Sequence, residues 1–454
     1  MLWIKDMLLY VFAVFLVIDI AFLYYYNDRD FFSPVGLCCL GFFFATISSI
    51  YNIDTWYFDM KIETFFVLII GIISISLGFI FSSRLFKPAV QSKQYFFYNI
   101  KPRQFSYCVF LLLQAVVIFL MYNYIMETTT GDTLAEHLFM FRLLDLAGET
   151  EIPSYITIPY LFCQWSVYVF AYKFILDYAC YKKINFPSLA IIILNLFLNF
   201  LSAAKGPIIW FFMGIFMIIW VTYSRKKKWD ISLSFTRLLK LLLLFLGGLI
   251  LLVALAFLLG RESTESMTDT QILAYIAEYL SIYLGAELKL LDNFLTTFFY
   301  TYSPNWMGYA SFHFLYSWLG TKFDIPYWVQ NNSTDLLDYG AVNQVLLGNV
   351  YTCFSIYFLD FGFLGIVILP FIMGGIFGAI YSYIRYVPSK TNRYGIDFTL
   401  LIYSNIIFTI ALSFFSDWFF SYVFSPWMLK GVVSLYIAQI VFLKRRGGEI
   451  DVCG

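Results

Sequence analysis

The turn Ser202-Ala203-Ala204-Lys205-Gly206-Pro207 joins two apolar runs and sets a full positive charge where a helix begins. Proline near the start of a helix is preorganised for entry, and the free amides and dipole of that N-terminus favour an anion. Lys205 beside them suits a diphosphate; a turn whose lysine reaches to lipid headgroups fits the same residues. Arg261-Glu262 follows the end of another apolar run. A guanidinium there grips phosphate bidentately or simply anchors a helix end. Asp360, in Asp360-Phe361-Gly362-Phe363-Leu364-Gly365, is a carboxylate at the mouth of a run. Such a group is costly unless paired or wet, which makes it a candidate for chemistry, with a helix cap or salt bridge as the other reading. Asp417 occupies a similar depth after a later run. Lys173 and Asp177, four apart in one run, are explained by an intrahelical ion pair.

The elements that must hold these residues are set by composition. The 454 residues are 61% hydrophobic and 13% charged, with mean hydropathy +0.77. A soluble domain carries about 25% charged residues, so the solvent here is lipid. Aromatics reach 22%. They supply interfacial belts and helix packing, with surfaces for sugar or lipid as a further use. The 29 basic and 29 acidic residues cancel, so no global field draws nucleic acid. Seven cysteines lie mostly inside apolar runs without CxxC spacing and read as packing residues. Only His137 and His313 are available, with no Cys/His cluster, which argues against zinc. The first run carries Asp19 and has no small-residue cleavage site, so it reads as an anchor.

Apolar stretches near the roughly 20 residues needed to cross a bilayer fall at 7–26, 33–51, 62–82, 105–126, 156–178, 187–204, 207–223, 237–260, 361–384, 396–416 and 427–444. The fold expected is an all-α polytopic membrane protein of about eleven transmembrane helices. Basic residues gather in 83–104, at Lys182-Lys183, at 225–228, from Arg385 to Arg393 and at 444–446, while 127–155 is acidic apart from Arg142. Short cytoplasmic loops collect Lys and Arg, so these alternate loops face the cytoplasm and the acidic ones the periplasm. Three blocks follow: helices in 1–260, a large periplasmic loop over 261–360, and helices with a cytoplasmic tail in 361–454.

Within the loop, Gln271 to Phe294 has helical spacing of apolar residues and predicts an amphipathic helix on the periplasmic membrane face. Residues 345–360 are apolar but too short to span, and read as re-entrant or interfacial. Gly374 to Gly378 predicts close helix packing. No internal repeat is evident.

This arrangement, with the Ser202 to Pro207 turn and Asn349-Val350-Tyr351-Thr352 ahead of Asp360 to Gly365, resembles the oligosaccharide repeat unit polymerases of the O-antigen (Wzy) family. The resemblance implies a GT-C-like, metal-independent, inverting glycosyltransferase of the bacterial inner membrane, with no cofactor. It would join undecaprenyl-diphosphate-linked oligosaccharides, one growing chain as donor and one unit as acceptor, at the periplasmic face, beside a partner that regulates chain length. The chemistry needs a base near the acceptor hydroxyl and cations near the departing diphosphate. Lys205, Arg261 and Arg142 are assigned to the diphosphate, and Asp360 to the base with Glu262 and His313 as alternatives. Asn349, Tyr351 and Thr352 would line the sugar site. An O-antigen ligase shares the architecture, a lipid-linked oligosaccharide flippase or other transporter is the rival from another class, and a scaffold protein without activity is a third.

Overall fold

The computed structural model describes residues 7–85, 100–147, 149–229, 247–248, 269–301, 303–304, 306–330, 340–342, 345–386 and 392–445. Its helices are α1 (Met7–Tyr26), α2 (Pro34–Tyr51), α3 (Ile62–Arg84), α4 (Ser106–Thr128), α5 (Leu134–Leu146), α6 (Ser154–Tyr181), α7 (Phe186–Leu201) and α8 (Lys205–Lys226). They continue with α9 (Asp269–Phe298), α10 (His313–Phe323), α11 (Pro326–Gln330), α12 (Cys353–Tyr386), α13 (Phe398–Ala411) and α14 (Pro426–Phe442). A helix covers or enters every apolar stretch read from the sequence except 237–260, which lies outside the described residues apart from 247–248. Among the described residues α1, α2, α3, α4, α8 and α12 are long and apolar enough to cross a bilayer, and α7, α13 and α14 are shorter apolar helices. The chain is a helical membrane protein. Its described sheet is one small antiparallel hairpin, β1 (Gly340–Val342) with β2 (Val345–Gly348).

Two compact units are interleaved along the chain. Unit 1 takes residues 1–91, 274–387 and 406–428, and unit 2 takes 92–273, 388–405 and 429–454.

In unit 1, α12 packs along α3 through small residues. A Cβ added at Gly374 would lie 2.0 Å from the Ile75 carbonyl oxygen, and one at Gly78 would lie 2.0 Å from that of Phe371. This is the close approach expected of the Gly374 to Gly378 stretch. One end of the unit gathers 27–30 with the close of α12, where Arg385 pairs with Asp28 at 3.0 Å and Tyr381 donates to Asp30. The opposite end gathers the start of α3 with the close of α9, where Asp292 accepts from the Lys61 amide at 2.9 Å and from Thr64 Oγ1 at 2.7 Å.

Helix α9 departs from its expected place on a membrane face. Residues 285–292 are buried all round, Glu287 and Asp292 among them. Gly285 lets α9 close onto α2, where its carbonyl accepts from Ser49 Oγ, and Asp292 caps α3. The amphipathic pattern thus serves the interior of the unit: Asp292 and Lys289 reach the start of α3 and the segment before it, while Glu287 is buried with one oxygen unpartnered. Burial pushes the Asp292 carboxyl up, opposed by the Lys61 amide and the Thr64 hydroxyl.

In unit 2, α4, α6 and α7 pack together and α8 against α6. One end carries Arg225 paired with Asp397 at 2.7 Å, Arg103 donating to the carbonyls of Ile440 and Leu443, and Lys226 donating to the Ala179 carbonyl. Lys173 pairs with Asp177 within α6, as their spacing predicts. At the other end the hydrophobic residues Met121, Ile125, Leu138, Phe141, Ile156, Leu201 and Ala203 form one cluster. That cluster seats α5 against the Ser202 to Lys205 turn. In both units, connecting segments meet others that the alternation of basic and acidic loops puts on the same side.

Candidate functional site

The interior of unit 1 is organised by two interruptions of helix. The first lies in α12. At Gly362 the backbone takes φ 57° and ψ −144°, a conformation open to glycine and strained for other residues. The chain doubles back there. Tyr357 and Gly365 would be about 12 Å apart along a straight helix, yet a Cβ on Gly365 would lie 2.1 Å from the Tyr357 carbonyl oxygen. Residues 353–361 are therefore an arm folded against the rest of α12, every residue from Cys353 to Asp360 buried. The short apolar segment read as re-entrant is this arm. The arm is a short helix of its own, and the non-helical Gly362 parts it from the long apolar helix that follows, which starts where the apolar run 361–384 begins.

The second interruption separates α13 from α14. Apolar sequence runs on to Phe415, but α13 stops at Ala411, and turns over 412–416 lead to Asp417 and a π-helical turn at Phe419–Val423. The two interruptions meet: the Cys353 amide donates to the Ser413 carbonyl at 2.9 Å, and Ser413 Oγ lies 3.1 Å from Cys38 Sγ of α2.

Two carboxylates sit where they converge. Asp360 has no exposed surface, and its oxygens accept from the amides of Ala310 at 3.1 Å and Ser311 at 2.6 Å. Its own carbonyl accepts from the Trp306 amide at 2.9 Å. Asp360 is thus the staple that holds 306–311 to the arm, and both of its oxygens are engaged. Asp417, 7% exposed, is held differently. Its Oδ1 accepts from the Tyr357 hydroxyl at 3.1 Å and from the amides of Phe419 and Phe420 at 3.1 and 3.3 Å. Its Oδ2 is buried without a hydrogen-bond partner.

An aromatic layer covers this end. Phe312 meets Phe420 and Phe424, Tyr316 is tilted against Tyr309 and edge-on to Trp328, and Trp306 lies edge-on to Phe361. Trp306, Trp318 and Tyr327 are exposed. Burial pushes the Tyr316 hydroxyl up, and the nearby Asp360 charge adds to it.

Comparison of the chain with protein families, with curated proteins and with solved structures returns no match. Geometry therefore carries the assignment of roles.

The residues singled out in the sequence divide between the units. Asp360, His313, Asn349, Tyr351 and Thr352 belong to unit 1, and Lys205 and Arg142 to unit 2. Arg261 and Glu262 lie outside the described residues. Of the proposed sugar-lining residues, Asn349 is exposed. Tyr351 packs edge-on to Phe294, and the carbonyl of buried Thr352 accepts from Ser355 as a cap for the arm. These three share no face, because the chain turns inward between Gly348 and Cys353. His313 opens α10 with its ring against Phe314.

In unit 2, Lys205 is 7% exposed at the first residue of α8, preceded by Ala203 at φ 54°. Arg142 is half-buried on α5 and pairs with Asp145. Both lie at the end seated by the hydrophobic cluster. His137, also on α5, shares a 2.7 Å hydrogen bond with Thr129 Oγ1.

The Asp417–Tyr357 pair is what sequence reading underrated. Ser413, Ser416 and Asp417 interrupt the apolar run and were the available signal. Tyr357 lies sixty positions away and gives none.

Proposed function

We propose that this protein polymerises lipid-linked oligosaccharides of the O-antigen type, as a GT-C-like enzyme of about eleven spans in the bacterial inner membrane. Its site opens to the periplasm, and its substrates are two undecaprenyl-diphosphate-linked glycans. The observation that carries this reading is Asp417: a buried carboxylate, fixed through one oxygen by Tyr357 and two amides, with the other oxygen unpartnered, at the aromatic-covered end of unit 1.

In this reading Asp417 takes the proton from the acceptor hydroxyl as that oxygen bonds to the donor's anomeric carbon. The bond from that carbon to the diphosphate breaks on the opposite face, and configuration inverts. Charge accumulates on the departing diphosphate and calls for cations; Lys205 and Arg142 of unit 2, and Arg261, are each a separate candidate for diphosphate binding. Asp360, with both oxygens on amides, is a positioning residue that holds the aromatic segment over the arm. A partner that sets chain length fits a processive product.

A second reading has its own support. Transporters bind their cargo where helices are discontinuous inside the membrane domain, and the doubled arm of α12 beside the break after α13 is such a place. Deleting the gene in its host and separating lipopolysaccharide by gel distinguishes the readings. Core carrying one unit marks a polymerase, bare core with polymer on the carrier lipid a ligase, and bare core with units trapped in the cytoplasm a flippase. Against that background, Asp417→Asn should lower polymer synthesis roughly 100- to 10,000-fold, the size of a general-base contribution. Normal ladders from Asp417→Asn, and from Lys205→Ala, would remove the catalytic assignment.

A further inference from the structure

Unit 2 has a polar layer that the reaction above does not use. Gln114 of α4, Gln164 of α6 and Asn195 of α7 lie inside their helices and Asn199 in the last turn of α7, all within runs that are otherwise apolar. Gln114, Asn195 and Asn199 have no exposed surface. Two hydrogen bonds tie the three helices at this level: Gln114 Nε2 donates to the Ile191 carbonyl at 3.1 Å, and Asn195 Nδ2 donates to Gln164 Oε1 at 3.3 Å. Asn199 follows Asn195 by four residues and so lies on the same face of α7.

Most of the hydrogen-bonding capacity of these amides is left over. Gln114 Oε1, Gln164 Nε2, Asn195 Oδ1 and both polar atoms of Asn199 are buried without a partner. Polar residues that only glue helices together satisfy one another across the interface. Here four amides make two bonds, and the leftovers include donors and acceptors side by side. Turning any amide end for end exchanges a donor for an acceptor and preserves the mixture. An ion requires groups of one sign, and a lipid tail requires none. A hydroxyl, which donates and accepts at once, answers a mixed uncharged set.

We infer that this amide layer binds the hydroxyl groups of a neutral glycan segment within the membrane domain. The atoms are closed off from solvent, so the ligand enters as α7, only sixteen residues long, parts from α4 and α6. The unmet amides favour that opening, because each gains in the bound state a partner it lacks in the closed one. The inference rests on the amide chemistry alone and stands or falls apart from the polymerase assignment.

The test uses the full chain in lipid nanodiscs and follows its unfolding temperature. The probe is a mixture of neutral hexose oligosaccharides, with inorganic diphosphate as the charged comparison. Wild type should rise in unfolding temperature with the oligosaccharide, and any shift it shows with diphosphate should persist in the variants below. Asn199→Leu should unfold, without ligand, at or above the wild-type temperature, since it replaces two unmet polar atoms by an apolar shape, and should lose the oligosaccharide shift. Gln114→Leu, on a different helix, should lose it as well.

Three results would overturn the inference. A lower unliganded temperature in both variants would make the amides structural glue. An undiminished oligosaccharide shift in both would put the glycan elsewhere. No shift in wild type would leave the layer to internal water. Polymer synthesis in Asp417→Asn cells reports on the catalytic assignment and is independent of each of these.

Discussion

Units 1 and 2 bury polar groups in opposite ways. Unit 1 breaks its helices and sets carboxylates at the breaks: the arm of α12 doubles back at Gly362, α13 stops at Ala411, and Asp360 and Asp417 cap what is left over. Unit 2 keeps the middles of α4, α6 and α7 helical and uncharged, fills them with amides, and holds its buried charges near helix ends in pairs, Arg225 with Asp397 and Lys173 with Asp177. A broken helix exposes backbone amides that a carboxylate can accept from, so charge is tolerated in the first unit because the backbone there needs it. An unbroken helix offers no such partners, and in the second unit Lys173 and Arg225 each lie beside an opposite charge. Asp417 and Glu287 of α9 each keep a buried carboxylate oxygen unpartnered, which fits neither rule. Asp417 is the functional candidate because its other oxygen is fixed by Tyr357 and two amides where the two helix breaks converge.

The largest effect that would test this contrast is at Arg225. Arg225→Leu should leave Asp397 buried and unpaired and cost about 4 kcal/mol, measured by denaturant unfolding in detergent micelles. Asp397 also caps α13 by accepting the Leu400 amide at 3.0 Å. The double variant Arg225→Leu with Asp397→Asn keeps that cap and removes the charge, and should recover most of the loss. A double variant as unstable as the single one would mean that pairing is not what makes these charges tolerable.

A smaller effect is expected at the turn of the arm. Gly362→Ala adds a side chain at φ 57° and ψ −144°, with its Cβ 3.3 Å from Pro304 Cγ, and should cost about 2 kcal/mol. If the doubled arm is needed for Asp417 to act, activity should fall further than stability. Equal activity at matched folded fraction would detach the arm from the chemistry.

Much of this was legible in the sequence and some was not, for physical reasons. Apolar runs announced where helices lie, since the bilayer demands length and hydropathy whatever the packing. The shortness of 345–360 announced a segment that does not cross. The break after Ala411 stayed hidden because Leu412, Phe414 and Phe415 are apolar, and hydropathy is blind to whether an apolar backbone is helical. Asp360 drew attention by its depth, but its partners are the amides of Ala310 and Ser311, which carry no side-chain signature at all. The pattern of α9 is that of a surface helix, yet its residues 285–292 are buried and Asp292 goes to the start of α3. The amides of unit 2 were plainly visible within apolar runs, yet only the unmatched bonding of Gln114, Gln164, Asn195 and Asn199 sets them apart from ordinary helix glue.

The smallest effect concerns whether the end of unit 2 that holds Lys205 and Arg142 is set by its own local rules. Helix α5, which carries His137 and Arg142, opens on a cap: Thr133 Oγ1 accepts from the Glu136 amide at 3.3 Å, and Glu136 Oε2 accepts from the Asp132 amide at 2.7 Å. Thr133→Ala should cost about 1 kcal/mol and raise hydrogen exchange over the first turn of α5. The hydrogen bond from the Asp132 amide holds the Glu136 carboxyl below its usual range. A carboxyl depressed on folding stabilises the fold above its unfolded pKa, and loses that contribution as pH falls through the folded value. Glu136→Gln should therefore weaken α5 at neutral pH and match wild type in acid. Exchange at Ala310 and Ser311 in unit 1 should not change in either variant. A change there would show that the cap of α5 is not a local feature of its own helix.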